Sequence, residues 1–208
     1  GHGSNILRLK KLARKYNIHL IEDTAEALGA KCKNKYFGTI GDIGCYSFNG
    51  NKTITTGSGG MLVTNNKVLA KKAKHLSEQA RKIEIGYIHD KIGFNYRMSN
   101  VHAALGLAQL ENIEFILNRK EEIYNYYFYH LVKSNLISFP ELYSETKSSH
   151  WLNAIKLKSK NLNIDKLIKQ LSKKGIIVRK LWEPMNLSIP HNDCDYIFEI
   201  ITYFNNLF

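Results

Sequence analysis

Apolar residues recur at helical spacing from Asn5 to Tyr16, where Ile6, Leu9, Leu12 and Ala13 share one face of "NILRLKKLARKY" and the basic residues take the other. The short run "IHLIED" follows. A helix leading into a buried strand is half of an α/β unit, and Asp23 falls at the strand's carboxyl end, where open α/β sheets place their ligands. "IGCYSF" from Ile43 and "GGMLVT" from Gly59 predict two further strands flanking one loop, and "NKVLAKKAKHLSEQAR", about Asn66 to Arg81, predicts a helix. "YRMSNVHAALGLAQLENIEFILNRKEEIYNYYFYHLVKS" keeps helical periodicity over so long a run that a bend or break is expected, with Ser99 as an N-cap near its start and the run as a bridge between two subdomains. Inside it, the spacing of "IYNYYFYH", Ile123 to His130, predicts a helix that packs its aromatic side into a core. Beyond Pro140 the pattern changes: a polar stretch leads to the strand candidate "HWLNAIKL", the helix "IDKLIKQLSKKG" with a Gly stop, and the strand candidate "IIVRKLW". That half reads as a small α+β unit.

Composition narrows the class. With 208 residues, 44% hydrophobic and 23% charged, the chain has the balance of a globular protein of one or two domains. A net charge of +12 favours anionic partners. The lysines are spread along the whole chain without a zinc-finger, RRM or KH signature, so no nucleic-acid partner is expected. No apolar run has the length of a membrane span and no signal peptide opens the chain, so no membrane partner and a cytoplasmic location are expected. Cys32, Cys45 and Cys194 are odd in number and widely spaced, which argues against a disulfide framework and against a cysteine zinc site. "GHGS", Gly1 to Ser4, resembles an expression scar and is set aside from the fold.

Lys52 stands apart from the other lysines, most of which lie in mixed or basic runs such as "LKKLARK". It sits alone in "CYSFNGNKTITTGSGG", between a strand and a cluster of threonines and glycines. A lysine forms a Schiff base when its amine is neutral and held beside a carbonyl, and glycines let a flat ring and a phosphate approach the backbone. Asp23, in "IEDTAEALGA", reads equally as a helix cap or as the carboxylate that keeps a pyridine nitrogen protonated.

"IEDTAEALGA", "GTIGDIGCYSFNGNKTITTGSGGMLVTNN", "GFNYRMSNVHAALGLAQLENI", "WLNAIKL" and "RKLWEPMN" follow one another in the order of the motifs of the DegT/DnrJ/EryC1/StrS family, which the chain resembles over nearly all its length. These are pyridoxal-phosphate-dependent sugar aminotransferases, and the wording is most similar to the branch that aminates UDP-linked keto sugars of the legionaminic type for bacterial surface glycans. The resemblance implies an α/β fold: a partial aspartate-aminotransferase (fold type I) large domain over residues 5–117 and a small, incomplete C-terminal α+β domain over 118–208. It implies that Lys52 is the Schiff-base lysine and proton carrier, that Asp23 pairs with the pyridine nitrogen, and that Glu26, where many relatives have Gln, lies near the ring hydroxyl. Ser47 would bond the cofactor phosphate. Asn95 would reach the phosphate of the other subunit, which implies a homodimer with a shared site. Glutamate is the implied amino donor and a nucleotide-linked 4-keto sugar the acceptor.

In the second half, His150, Trp151, Arg179, Trp182 and His191 are candidates for a nucleotide-sugar pocket, with aromatics against the base and Arg on phosphate. A core role weighs at least as much for the tryptophans, and more for a lone His. The family's proteins begin well upstream of "NILRLKK" and close with a segment this chain does not show, so the reading is of an N-terminally truncated aminotransferase. Exposed apolar sheet surface, association and weakened cofactor binding are the expected consequences. The alternative is a catalytically inactive remnant that serves only as a folded or oligomerising module.

Overall fold

The structure, a computed structural model, describes residues 1–82, 86–158, 163–182, 185 and 188–191. In chain order the elements are α1 (Ile6–Lys15), β1 (Ile21–Asp23), β2 (Lys31–Cys32), β3 (Lys35–Tyr36), β4 (Ile43–Ser47), β5 (Gly60–Val63), α2 (Lys67–Ser77), β6 (Arg81–Lys82), β7 (Ile88–His89), α3 (Asn100–Leu110), α4 (Ile113–Leu131), β8 (Ile137–Ser138), β9 (Thr146–Lys147), β10 (Lys156–Leu157) and α5 (Ile164–Ser172). The chain forms two compact units, residues 1–123 with 142–152, and residues 124–141 with 153–208. The division is not a single cut in the chain. It falls within α4, and the 142–152 segment returns to the first unit because β9 pairs antiparallel with β2.

In the first unit, the Asn5 side chain caps α1 by accepting the Arg8 N–H at 3.3 Å, and Arg14 and Lys15 sit in the last turn, where the helix dipole favours cations. Ile6 and Ala13 of the predicted apolar face are buried, whereas Leu9 and Leu12 are half exposed. Ile6 joins Ala27, Ala30, Cys32, Phe37 and Ile40 in the core, so α1 packs on the β2–β3 hairpin and its flanks. The sheet that carries the site has the order β1-β4-β5: β1 runs parallel to β4 from Ile21↔Ile43 to Asp23↔Cys45, and β4 runs antiparallel to β5. Glu22, buried in the middle of β1, accepts the backbone N–H groups of Gly38 (2.8 Å), Ile40 (2.6 Å) and Gly41 (2.5 Å). One carboxylate thus satisfies a loop that would otherwise bury unpaired donors.

Asn66 caps α2, accepting the N–H groups of Val68 and Leu69, and Ser99 caps α3 as its sequence context predicts. The long helical run breaks between Leu110 and Ile113. The aromatic stretch 123–130 differs from its expected core role: it is helical, but Tyr126 and Tyr129 are 66% and 71% exposed. Periodicity puts those rings on helix faces without deciding which face finds a neighbour.

In the second unit, Tyr124, Phe128 and Phe139 form an aromatic cluster with ring centroids 5.1–6.0 Å apart, and β8 pairs antiparallel with β10. The strand expected over "HWLNAIKL" shrinks to Lys156–Leu157, because His150 takes a left-handed conformation (φ 48°) that an extended strand excludes. "IIVRKLW" is irregular rather than a strand; its β-branched residues have no ladder partner among the described residues. The α5 helix starts at an Asn163 cap, and Gly175, at φ 77°, follows it as the expected stop.

Candidate active site

The site grows from the carboxyl ends of the two parallel strands. Asp23 ends β1 opposite Cys45, and Ser47 ends β4 two residues further along. The Asp23 Oδ1 accepts the Ala25 N–H at 3.1 Å, turning the chain so that Glu26 follows three residues on. Its charge also reaches Cys45, whose thiol is pushed up chiefly by burial and further by Asp23. Ser47 Oγ accepts the Asn49 N–H at 3.4 Å, at the entry to the loop that carries Lys52.

That loop is tied down. Lys52 N–H donates to the Asn49 carbonyl (3.0 Å), Thr56 N–H to the Phe48 carbonyl (2.9 Å), and Gln109 of α3 pairs with both the N–H and the carbonyl of Thr55. The Lys52 Nζ lies 3.2 Å from Glu26 Oε1, and the lysine side chain is only 13% exposed. Beneath it, the ring of Trp151 lies 4.4 Å from Nζ in a cation–π contact, and the Trp151 indole N–H donates to the Asn51 carbonyl at 2.7 Å. Lys120 of α4 donates to the Trp151 carbonyl at 3.2 Å, and burial lowers its pKa. Above the loop there is room: a Cβ added to Gly50 or Gly57 would meet nothing within 4 Å.

The expected site residues thus fall into three groups. Lys52 and Glu26 are in contact, and Asp23 and Ser47 sit at the adjoining strand ends. Asn95 is exposed and joined to Glu78 by an isolated β-bridge, on a loop held by His75 against Asp90 (2.6 Å) and by Arg97 against Glu78. In the second half, His150 and Trp151 are buried members of the first unit. Arg179 and Trp182 are exposed in the second, and the His191 backbone closes a 3-10 turn while its side chain lies outside the described set. Sequence reasoning missed Lys120, which sits in an ordinary basic stretch of a helix. It also missed the buried Ser148 and Ser149 that precede His150, where the Gly1 carbonyl accepts the Ser149 N–H (3.1 Å) and the Ser148 hydroxyl (2.9 Å). Gly1 to Ser4 therefore pack into the first unit. Among the described residues no helix is long and apolar enough to cross a membrane.

The Lys52 loop thus holds a partly sheltered amine beside a carboxylate and over an indole face, and solved sugar aminotransferases of fold type I share the fold. The chain matches the DegT/DnrJ/EryC1/StrS aminotransferase family over residues 1–198, Gly1 to Ser4 included, and belongs to it. It is 41% identical over 189 residues to GDP-perosamine synthase of Escherichia coli O157:H7, covering 89% of this chain and 50% of that protein. It is 37% identical over 159 residues to the UDP-4-amino-4,6-dideoxy-N-acetyl-beta-L-altrosamine transaminase of Campylobacter jejuni strain 81-176, covering 76% of this chain and 42% of that protein. The solved Helicobacter pylori PseC, an aminotransferase involved in the biosynthesis of pseudoaminic acid, superposes with a TM-score of 0.89 at 25% identity, over 99% of this chain and 57% of that one. The chain spans about half the length of the curated relatives it matches.

Aminotransferases of this family depend on pyridoxal phosphate. The donor set is of the kinds that group calls for: an amine on Lys52, a strand-end carboxylate on Asp23 and a hydroxyl on Ser47.

Proposed function

We propose that this chain carries the cofactor lysine and its partners for a pyridoxal-phosphate-dependent transfer of an amino group, with glutamate as donor, to a nucleotide-linked 4-keto sugar destined for a bacterial surface glycan. The observation that carries the reading is the placement of Lys52: its Nζ is 3.2 Å from Glu26 and 4.4 Å from the Trp151 ring, in a loop tied to α3 through Gln109. When bound, the cofactor supplies an aldehyde that takes up the amino group and a ring that accepts the electrons left when the donor's Cα–H bond breaks. The remaining work belongs to the chain. Lys52 Nζ, sheltered from water by Trp151, takes and returns the proton at the reacting carbon. Asp23 holds a proton on the ring nitrogen by charge. Glu26 orients the Lys52 amine and would hold the cofactor's ring hydroxyl, Ser47 would hold its phosphate, and Asn95 would serve the site of a second subunit in a homodimer.

The sugar's nucleotide is read from sequence wording as UDP. The relatives' names carry both GDP and UDP, with the higher identity on the GDP side. Both keto-sugar nucleotides are therefore to be offered, and the one that regenerates the aldehyde form of glutamate-loaded protein names the class. The site itself is tested by incubating the chain with pyridoxal phosphate, reducing with borohydride to fix the cofactor to its amine, and mapping the peptides by mass. The expected result is one adduct on Lys52, lost in Lys52→Ala. Labelling scattered over other lysines overturns the reading.

A further inference from the structure

We propose that Trp151 is a positioning residue for Lys52, and that Lys120 holds Trp151 in that role. The proposal deepens the function proposed above, since it concerns the amine assigned there to the cofactor.

Three contacts carry it. The indole N–H donates at 2.7 Å to the carbonyl of Asn51, the residue immediately before Lys52, so the ring grips the backbone that sets the lysine's direction. The indole face lies 4.4 Å from Nζ, so the same side chain also fixes the far end of the lysine. Lys120 donates to the Trp151 carbonyl at 3.2 Å and ties the tryptophan's own backbone to α4. Trp151 is 5% exposed, and the turn before it is rigid on independent grounds: Ser148 and Ser149 are buried, and the Ser148 Oγ accepts the His150 N–H at 2.9 Å.

Burial of hydrophobic area alone would ask for any large apolar side chain at 151. A core Leu or Phe satisfies packing, but neither can donate to the Asn51 carbonyl, and Leu also lacks a π face for the ammonium. Lys120 is also spent in an unusual way. A half-buried ammonium on a helix usually finds a carboxylate, but Glu121, one position along α4, faces away from Lys120 and pairs with Lys147 at 2.8 Å. Lys120 gives its charge to a main-chain carbonyl, and that carbonyl belongs to the residue under Lys52. The contacts Lys120–Trp151–Lys52 thus join the part of α4 that belongs to the first unit to the Lys52 amine.

The test reads the Lys52 amine directly and needs no cofactor. Competitive acetylation of the full chain, followed by peptide mass mapping, gives the reactivity of every lysine in the parent and in variants. In Trp151→Leu, Lys52 reactivity should rise by roughly 2- to 30-fold, the range set by the strength of a cation–π contact, while Lys31, Lys33 and Lys147 stay unchanged. Trp151→Phe keeps a ring face and should give a smaller rise. Lys120→Met, which removes the donor to the Trp151 carbonyl, should raise Lys52 reactivity, and Lys120→Arg, which restores the donor, should return it to the parent value. A rise at all lysines together in Trp151→Leu reports unfolding, and the Lys120 pair then decides. Unchanged Lys52 reactivity in Trp151→Leu, or in Lys120→Met with that variant folded, overturns the proposal. Borohydride mapping of the parent is scored separately, so a cofactor that fails to attach counts against the proposed function and leaves the labelling result to judge the positioning role.

Discussion

At the level of single residues, two buried side chains, Glu22 and His150, bear on the stability of the first unit. Glu22 accepts three backbone N–H groups of the 38–41 loop while 5% exposed. Glu22→Gln keeps one acceptor oxygen but turns an amide N–H₂ toward a buried donor, at a cost of about 2 kcal/mol, readable in urea unfolding; a loss below about 0.5 kcal/mol would show the loop satisfied by other means. His150 is held below its ordinary value of 6.5, chiefly by burial, with Glu121 opposing and Lys147 and the Gly1 amine reinforcing. Above 6.5 the imidazole is neutral in both folded and unfolded chains and contributes nothing. Between the lowered folded value and 6.5 the unfolded chain binds the extra proton, so stability falls as the pH falls through that window. Melting temperatures taken from pH 7.5 to pH 5 should therefore drop more steeply in the parent than in His150→Gln; parallel profiles would remove His150 as the cause. Of these residues the sequence singled out His150 only as a pocket candidate, and Glu22 not at all. A buried carboxylate between Ile21 and Asp23 looks like the exposed member of an acidic strand end until the loop that it satisfies is in place.

At the scale of elements, the site depends on how closely β4 approaches the loop before it. Gly44 is buried on β4, and a Cβ there would collide with the backbone of Gly38. Gly44→Ala should lower the melting temperature and weaken retention of pyridoxal phosphate together, because the shift passes along β4 to Ser47 and the Lys52 loop; a variant as stable as the parent would show that the loop yields. Much at this scale could be read from residues alone. β1, β4 and β5, the Asn66 and Ser99 regions, the broken helical run and the Gly175 stop all follow from local chemistry: alternation, side-chain caps, and a left-handed glycine. The rest depended on distant partners. Trp151 reaches Asn51 across 100 positions, which no local pattern announces. "IIVRKLW" has strand composition but no ladder partner among the described residues, and of the α4 rings Tyr124 and Phe128 pack with Phe139 while Tyr126 and Tyr129 stay exposed.

At the scale of the whole molecule, large apolar side chains among the described residues stand open to solvent, Ile21 at 62%, Val101 at 71%, Phe115 at 72% and Ile92 at 86%, and the β1 edge of its sheet is unpaired among the described residues. Surfaces of this kind associate. Sedimentation velocity at micromolar concentration should show species larger than the 23.9 kDa chain, and a single monomeric boundary would contradict the shared-site reading of Asn95. The family was legible over nearly all of the chain because its motifs are ordered and spaced, whereas no pocket could be read around Arg179 and Trp182, which sit in a stretch with no regular structure. The most direct test of the site as a whole is the visible spectrum of the purified chain with added pyridoxal phosphate, before and after excess glutamate. A yellow band that forms with the parent, fails to form with Lys52→Ala, and bleaches with glutamate is the predicted result. A parent that stays colourless, or a band indifferent to both Lys52 and glutamate, would contradict it.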